Sequence, residues 1–333
     1  VDQRAIHLAY DLGGNDAQGV AFAVSVSFND DQVAEMVYQP EEGGRYHTQT
    51  IQLGDEIALW SPEQPALYDL SVVVRRDHQV LDHVVSYFGM RKIDVQGGRV
   101  HLNDQPYTMR LVLDQGYHPQ GILTFPDDET IRRDVELTKA LGFNGARKHQ
   151  KVAEPRYLYW ADRLGLLVWG EMANAWRYSP EYIARMTAEW QEAIGRDYNH
   201  PCIVAWVPMN ESWGVPTLKK DARQRAHLMS LYYLTKSLDE TRLVVSNDGW
   251  MQAKTDLLTI HDYGSDGDVL RERYATLDSI LVARPENNDL YAPGFNHTGE
   301  PALLTEFGGI GFRTGEQEGW GYSNSTDAEG FLA

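Results

Sequence analysis

The period of the apolar residues changes near residue 90, and one architecture cannot serve both halves of the chain. Before that point they recur every second residue. The runs 5–10, 20–28, 33–38, 47–53, 67–74 and 80–87 alternate apolar with polar residues or are rich in Val, Tyr and Phe. Turn-forming clusters part them: Gly13-Gly14-Asn15-Asp16, Asn29-Asp30-Asp31 and Glu41-Glu42-Gly43-Gly44. Short strands at this spacing predict an antiparallel β-sandwich of immunoglobulin-like size over residues 1–90.

From residue 91 onward, apolar strands alternate with helices. Strands are expected at 107–113, 143–148, 166–170, 203–208, 243–246, 257–261 and 302–305. Helices are expected at 127–141, 154–164, 179–198, 216–238 and 269–281. Gly142 and Gly165 stand where helices end, and Pro155 and Pro180 where they begin. Alternation of this kind implies a parallel sheet buried on both faces, either doubly wound or closed as a (β/α)8 TIM barrel. No G-x-G-x-x-G follows the first strand, which speaks against a dinucleotide fold. Polar residues gather instead at strand C-termini: Asp114, His149, Glu171, Asn210-Glu211, Asn247-Asp248, His261-Asp262 and Glu306. Site residues drawn from many strand ends are the habit of the barrel. The expected architecture is therefore a sandwich over 1–90 followed by a TIM barrel over 91–333, with the eighth strand missing.

Charge narrows the partners. Asp and Glu number 48 against 30 Lys and Arg, a formal charge of −18. That field repels phosphate backbones and anionic lipids, so neither nucleic acid nor membrane is an expected partner. No apolar run approaches the roughly 20 residues that span a bilayer. Cys202 is the sole cysteine, which rules out an internal disulfide and makes a reducing, cytoplasmic setting the default. The opening Val1-Asp2-Gln3-Arg4 reads as mid-protein, so a periplasmic or secreted location stays open. Aromatic residues reach 11%, which suits a sugar-handling site or simply a large aromatic core.

Two carboxylates stand out. Glu211 follows the strand at 203–208 within Met209-Asn210-Glu211-Ser212-Trp213, and Glu306 ends the strand in Leu304-Thr305-Glu306-Phe307. On a barrel these are strands four and seven, whose ends share one face. Two carboxylates roughly 5–5.5 Å apart suit a retaining glycosidase, one as nucleophile and one as acid, then base. Each Glu taken alone is equally well a strand-end salt bridge or a helix cap.

Asn199-His200-Pro201, the strand and Asn210-Glu211-Ser212 together resemble the acid/base region of glycoside hydrolase family 2. That family includes β-galactosidases, β-glucuronidases and β-mannosidases. Thr305-Glu306-Phe307-Gly308 is similar to its nucleophile region, and Trp60-Ser61-Pro62-Glu63 and Phe88-Gly89-Met90-Arg91 to its sandwich–barrel junction. The resemblance implies Glu306 as nucleophile and Glu211 as acid/base. It implies that Asn210 holds the sugar 2-hydroxyl, that Arg147 lies against the nucleophile, and that Tyr263 touches it. His149, offset from a histidine of the larger β-galactosidases, joins the substrate-binding candidates. Their Glu-x-His magnesium segment is here Glu171-Met172-Ala173-Asn174, so no metal and no cofactor are expected.

Other residues divide between site and scaffold. Asp114 is read as a hydroxyl-binding residue, against a plain turn built on Gly116 and Pro119. Trp213 and Trp250, with Trp176 and Trp320, lie in loops after strands, where a ring can stack on a sugar or merely pack between loops. Glu171 is expected to orient Arg147 or Lys148 by a salt bridge. His200 and Cys202 are expected to be structural. The reading is an exo-acting retaining β-glycosidase of β-galactosidase type, with a glycoside as partner and a homo-oligomer left open. β-Glucuronidase and β-mannosidase are alternatives within the family. A non-catalytic carbohydrate-binding protein is the alternative from another class.

Overall fold

In the computed structural model, residues 1–13, 19–40, 44–313 and 320–332 are described. The turns expected at 14–16 and 41–43 lie outside them. Six strands come first: β1 (Ala5–Asp11), β2 (Val20–Phe28), β3 (Asp31–Tyr38), β4 (Tyr46–Gln52), β5 (Tyr68–Arg76) and β6 (Gln79–Phe88). All pair antiparallel, β1 with β4 in one sheet and β3-β2-β5-β6 in the other. Asn29 and Asp30 both adopt positive φ, the two-residue turn whose twist suits the β2–β3 hairpin. Alternate residues of β2 face inward, and Phe22 meets Tyr10 of β1 with ring centroids 4.4 Å apart.

A small meander follows: β7 (Ile93–Gln96), β8 (Arg99–Leu102) and β9 (Gln105–Pro106). The sequence reading had no strands here. The elements are four residues or fewer, too short for a period to register, and only Gly97-Gly98 at positive φ marks the hairpin. Its inner residues Ile93, Val100 and Leu102 join the main core.

The alternating region contains β10 (Leu111–Asp114), α1 (Asp128–Ala140), β11 (Gly145–Lys148), α2 (Pro155–Leu164), β12 (Leu167–Glu171) and α3 (Pro180–Asp197). It continues with β13 (Ile203–Val207), α4 (Ala222–Leu238), β14 (Leu243–Val244), β15 (Leu258–Asp262), α5 (Gly267–Arg273), α6 (Leu277–Val282) and β16 (Ala302–Phe307). Strands β10 to β14 are parallel neighbours in chain order, and β15 pairs parallel with β16. Consecutive order lacks the reversal that defines a doubly wound sheet. Asp127 and Ser179 cap α1 and α3 through side-chain oxygens, and Gly165 closes α2 in the left-handed region. No helix among the described residues is long and apolar enough to cross a membrane.

Three expected boundaries move. The first strand of this region begins at Leu111 rather than 107, because 105–106 pair with β8. Helix α4 starts at Ala222 rather than near 216, because Asp221 caps it by accepting from the Arg223 N–H. The helix expected at 269–281 is two short ones, divided where Thr276 and Ser279 form a reciprocal capping box.

The two regions meet at the N-terminal ends of the parallel strands. Trp60, fully buried, donates to the Asp162 carbonyl at 2.8 Å, and the Tyr87 hydroxyl donates to the Asp162 carboxylate at 2.8 Å. His200 Nδ1 lies 2.5 Å from the same carboxylate, and the Cys202 N–H donates to it at 2.9 Å. A Cβ at Gly89 would come within 2.9 Å of Pro201, so this crossing has room only for glycine.

Candidate active site

The opposite ends of the strands build a network of charges. Arg147, on β11, is 2% exposed and uses all three guanidinium nitrogens. Nε donates to Glu171 at 2.7 Å, and one terminal nitrogen donates to Asn210 Oδ1 at 2.7 Å. The other donates to Glu306 at 2.7 Å and lies 2.8 Å from Asp248. Glu171 thus orients Arg147, as expected of a strand-end carboxylate. Burial would make Arg147 a weaker base, but Asp248, Glu171 and Glu306 outweigh it and hold the cation firmly.

Glu306 ends β16. Its second oxygen accepts from the Tyr263 hydroxyl at 2.5 Å. Burial and then this contact raise the phenol well above its ordinary range, so Tyr263 stays a donor. His149 Nε2 lies 3.6 Å from Glu306 and 3.2 Å from Asn210 Nδ2. Burial and the Arg147 charge hold His149 low, which leaves its imidazole neutral.

Glu211 sits in a bend that ordinary residues avoid. It and Ser212 both have positive φ, 51° and 64°. The segment that follows β14 clamps this bend. The Glu211 N–H donates to the Asp248 carbonyl at 2.9 Å, and the Ser212 N–H to Asn247 Oδ1 at 2.8 Å. The bend aims the carboxylate back across the strand ends. Glu211 Oε1 lies 2.8 Å from His261 Nδ1 and accepts weakly from Tyr263 at 3.5 Å. One ligand atom each of Glu211, His261 and Glu306 lie within 4.8 Å of one another.

The structure therefore brings Glu211, Glu306, Asn210, Arg147, Tyr263 and His149 together. Asp114 ends the neighbouring strand β10, and its carboxylate accepts from Lys148 at 2.5 Å and from the Gly116 N–H at 2.6 Å. These bonds are those of a turn and a partly buried ion pair. Trp213 stands edge-on to the exposed Trp176, with centroids 4.6 Å apart, and Trp250 edge-on to His261 at 5.5 Å.

Four members of the network had no assigned site role in the sequence reading. His261 and Asp248 were visible as strand-end polar residues. Asn174 accepts from the Asn210 N–H at 2.8 Å, and Tyr322 stacks on Tyr263 at 3.7 Å. No local motif announces the last two. Burial pushes Glu171 up to about 7 against the pull of Arg147. Burial would also raise Asp248, but Arg147 and His261 outweigh it and hold that carboxyl well below the usual range.

Two groups have metal-ligand composition. In Glu211, His261 and Glu306, Arg147 already supplies a cation to Glu306, and His261 Nδ1 is engaged by Glu211. In Asp162, His200 and Cys202, both carboxylate oxygens are taken by hydrogen bonds. In the first set His261 Nε2 has no hydrogen-bond partner. The first arrangement can hold one carboxylate ionised beside another that exchanges a proton.

The family model described as the TIM barrel domain of glycosyl hydrolases family 2 matches residues 93–309, and that described as glycosyl hydrolases family 2 matches residues 5–91. Over 216 residues the chain is 31% identical to β-galactosidase 2 of Enterobacter cloacae, covering 61% of the chain and 20% of that protein. Over 212 residues it is 32% identical to a Vibrio cholerae β-galactosidase, covering 60% of the chain and 20% of that protein. The chain thus spans about one fifth of the length of these relatives. Among solved structures, it is similar to the β-glucuronidase of Bifidobacterium dentium complexed with coumarin-3-O-glucuronide. The TM-score is 0.74 at 21% identity, over 96% of the chain and 52% of that structure. It is also similar to a β-galacturonidase of Eisenbergiella tayi bound to galacturonate. There the TM-score is 0.73 at 23% identity, over 96% and 56%.

Proposed function

The chain belongs to glycoside hydrolase family 2, and from that premise we propose that it is a retaining exo-β-glycosidase of β-galactosidase type. The observation that carries the reading is the meeting of Glu211 and Glu306, an oxygen of each lying within 4.8 Å of the other. Oxygens this close favour the roughly 5–5.5 Å carboxyl spacing of a retaining pair over the wider spacing of an inverting one. On this reading residues 1–90 are an immunoglobulin-like sandwich and 91–333 most of a TIM-barrel catalytic domain.

In the first step a Glu306 oxygen attacks the anomeric carbon while protonated Glu211 gives its proton to the departing glycosidic oxygen. Arg147 and Tyr263 both donate to Glu306, which holds the attacking carboxylate in one orientation. Asn210, fixed by Arg147 and Asn174, presents its amide toward the sugar 2-hydroxyl. In the second step ionised Glu211 takes a proton from water, and the hydroxide oxygen displaces Glu306 with a second inversion. β-Galactosides are the favoured substrates because the β-galactosidase relatives exceed 30% identity.

The test is a panel of aryl β-galactosides, β-glucuronides and β-mannosides, with product configuration read by proton NMR. The galactoside should be cleaved fastest, with the β-anomer appearing first. Preferred cleavage of another sugar would move the assignment within the family. Equal rates for the wild type and Glu306→Gln would end the glycosidase reading in favour of a sugar-binding protein.

A further inference from the structure

His261 belongs to none of the steps above, yet it touches both carboxylates. Its ring is wholly buried at the end of β15. Nδ1 lies 2.8 Å from Glu211 Oε1, while Nε2 faces Asp248 Oδ2 at 3.5 Å and Glu306 Oε1 at 3.4 Å. The ring cannot turn away from these partners. Trp250 stands edge-on against it, and Gly249 passes so close that a Cβ there would meet Nδ1 at 2.6 Å. Asp248 is itself fixed, accepting from the Thr305 hydroxyl at 2.7 Å and paired with Arg147.

We propose that Asp248 and His261 form a positioning couple for Glu211: Asp248 keeps the imidazole charged, and the charged imidazole donates from Nδ1 to hold Glu211 for its turn as a base. The charged and titratable groups around the ring come from every neighbouring strand. They are Glu211 after β13, Asp248 after β14, Tyr263 just past the end of β15, Glu306 on β16, and Arg147 and His149 at the end of β11. Burial alone would discharge the ring, but Asp248, then Glu211 and Glu306, push it up to about 9. His261 transfers no proton in either step. The proton from Glu211 goes to the leaving oxygen, and the one it regains comes from water. A donor fixed on Oε1 leaves the other oxygen of Glu211 to meet that water, so the couple acts chiefly on the second step.

The catalytic half of this proposal rests on the glycosidase reading, and its protonation half rests on the geometry alone. For the latter, histidine-selective 15N NMR of the full chain should show His261 doubly protonated at pH 7.5. Asp248→Asn or Glu211→Gln should lower its midpoint by about one pH unit or more. A neutral ring at pH 7.5, or a midpoint unmoved in both variants, would overturn the couple. Glu211 is partly exposed, so Glu211→Gln keeps this arm usable if the buried substitutions do not fold. For the former, His261→Gln should lower kcat on a dinitrophenyl β-glycoside about 10- to 100-fold while the initial burst of phenolate stays full. Equal loss of burst and steady state would refute a role in the second step. A wild type that cleaves no glycoside would instead overturn the function proposed above, and the NMR arm would still decide the couple.

Discussion

The two ends of the parallel strands both bury cations, but they give them different partners. At the end that meets the sandwich, Arg91 donates to the carbonyls of Pro201 at 2.9 Å and Ile203 at 2.5 Å. Arg242 donates to the Ile203, Tyr198 and His200 carbonyls and pairs with one carboxylate, Asp239, at 2.6 Å, and Lys139 donates to the carbonyls of Pro62, Leu164 and Gly165. At the other end Arg147 serves three carboxylates. A carbonyl is a fixed dipole that neither gains nor loses a proton, so a cation placed on it only ties chain to chain. A carboxylate changes charge, so a cation placed on it sets which state the site holds. Asp239 apart, the same chemical device is mainly a fastener at one end and a control on protonation at the other.

Substitutions can break that contrast. The largest effect should follow Glu306→Gln, which keeps the shape but removes the nucleophile. Glycoside hydrolysis should fall by about 10⁴-fold or more, with an unchanged circular dichroism spectrum. Arg147→Met should follow. It leaves Glu171, Asp248 and Glu306 without their shared counter-charge, so activity should drop roughly 10²–10³-fold. Stability should drop with it by about 3–5 kcal/mol in urea unfolding, the usual result of breaking a buried pair from one side.

Arg91→Leu tests the other end. Several carbonyls lose their donor, and stability should fall by about 2–4 kcal/mol. The turnover of each molecule that remains folded should equal that of the wild type, measured by active-site titration. A matching loss in turnover would mean that the two ends are not separable in the way their partners suggest.

How far this division was legible in the sequence depended on distance along the chain. Strands β1 to β6, the Asp127 and Ser179 caps and the Gly165 terminus follow from neighbouring residues, and they could be read. Glu211 and Glu306 were visible because each ends an apolar strand. The meander at 93–106 was hidden by strands of four residues or fewer. The start of α4 was misread because Pro216 suits a first helical turn, whereas Asp221 supplies the cap. Asp114 was legible as a strand-end carboxylate, but its pairing with Lys148, 34 residues on, was not. The coupling of Asp248 to His261 crosses strands and depends on register, so it emerged only from coordinates.

The smallest predicted effect separates the two ends by pH. The folded value of His261, about 9, lies above its ordinary 6.5. A base raised in this way lends stability that is complete below pH 6.5 and lost as pH climbs through 9. Glu171, raised from 4.5 to about 7, acts with the same sign in the window from 4.5 to 7, so the higher window belongs mainly to His261. Urea unfolding of the wild type should therefore lose on the order of 2–3 kcal/mol between pH 6.5 and 9. His261→Gln should flatten that slope. Arg91→Leu should start from a lower stability and keep the slope of the wild type, because the carbonyls it abandons do not titrate. A slope that vanished in Arg91→Leu would tie the protonation of the far end to the fastening of this one, and the contrast between fastener and control would no longer hold.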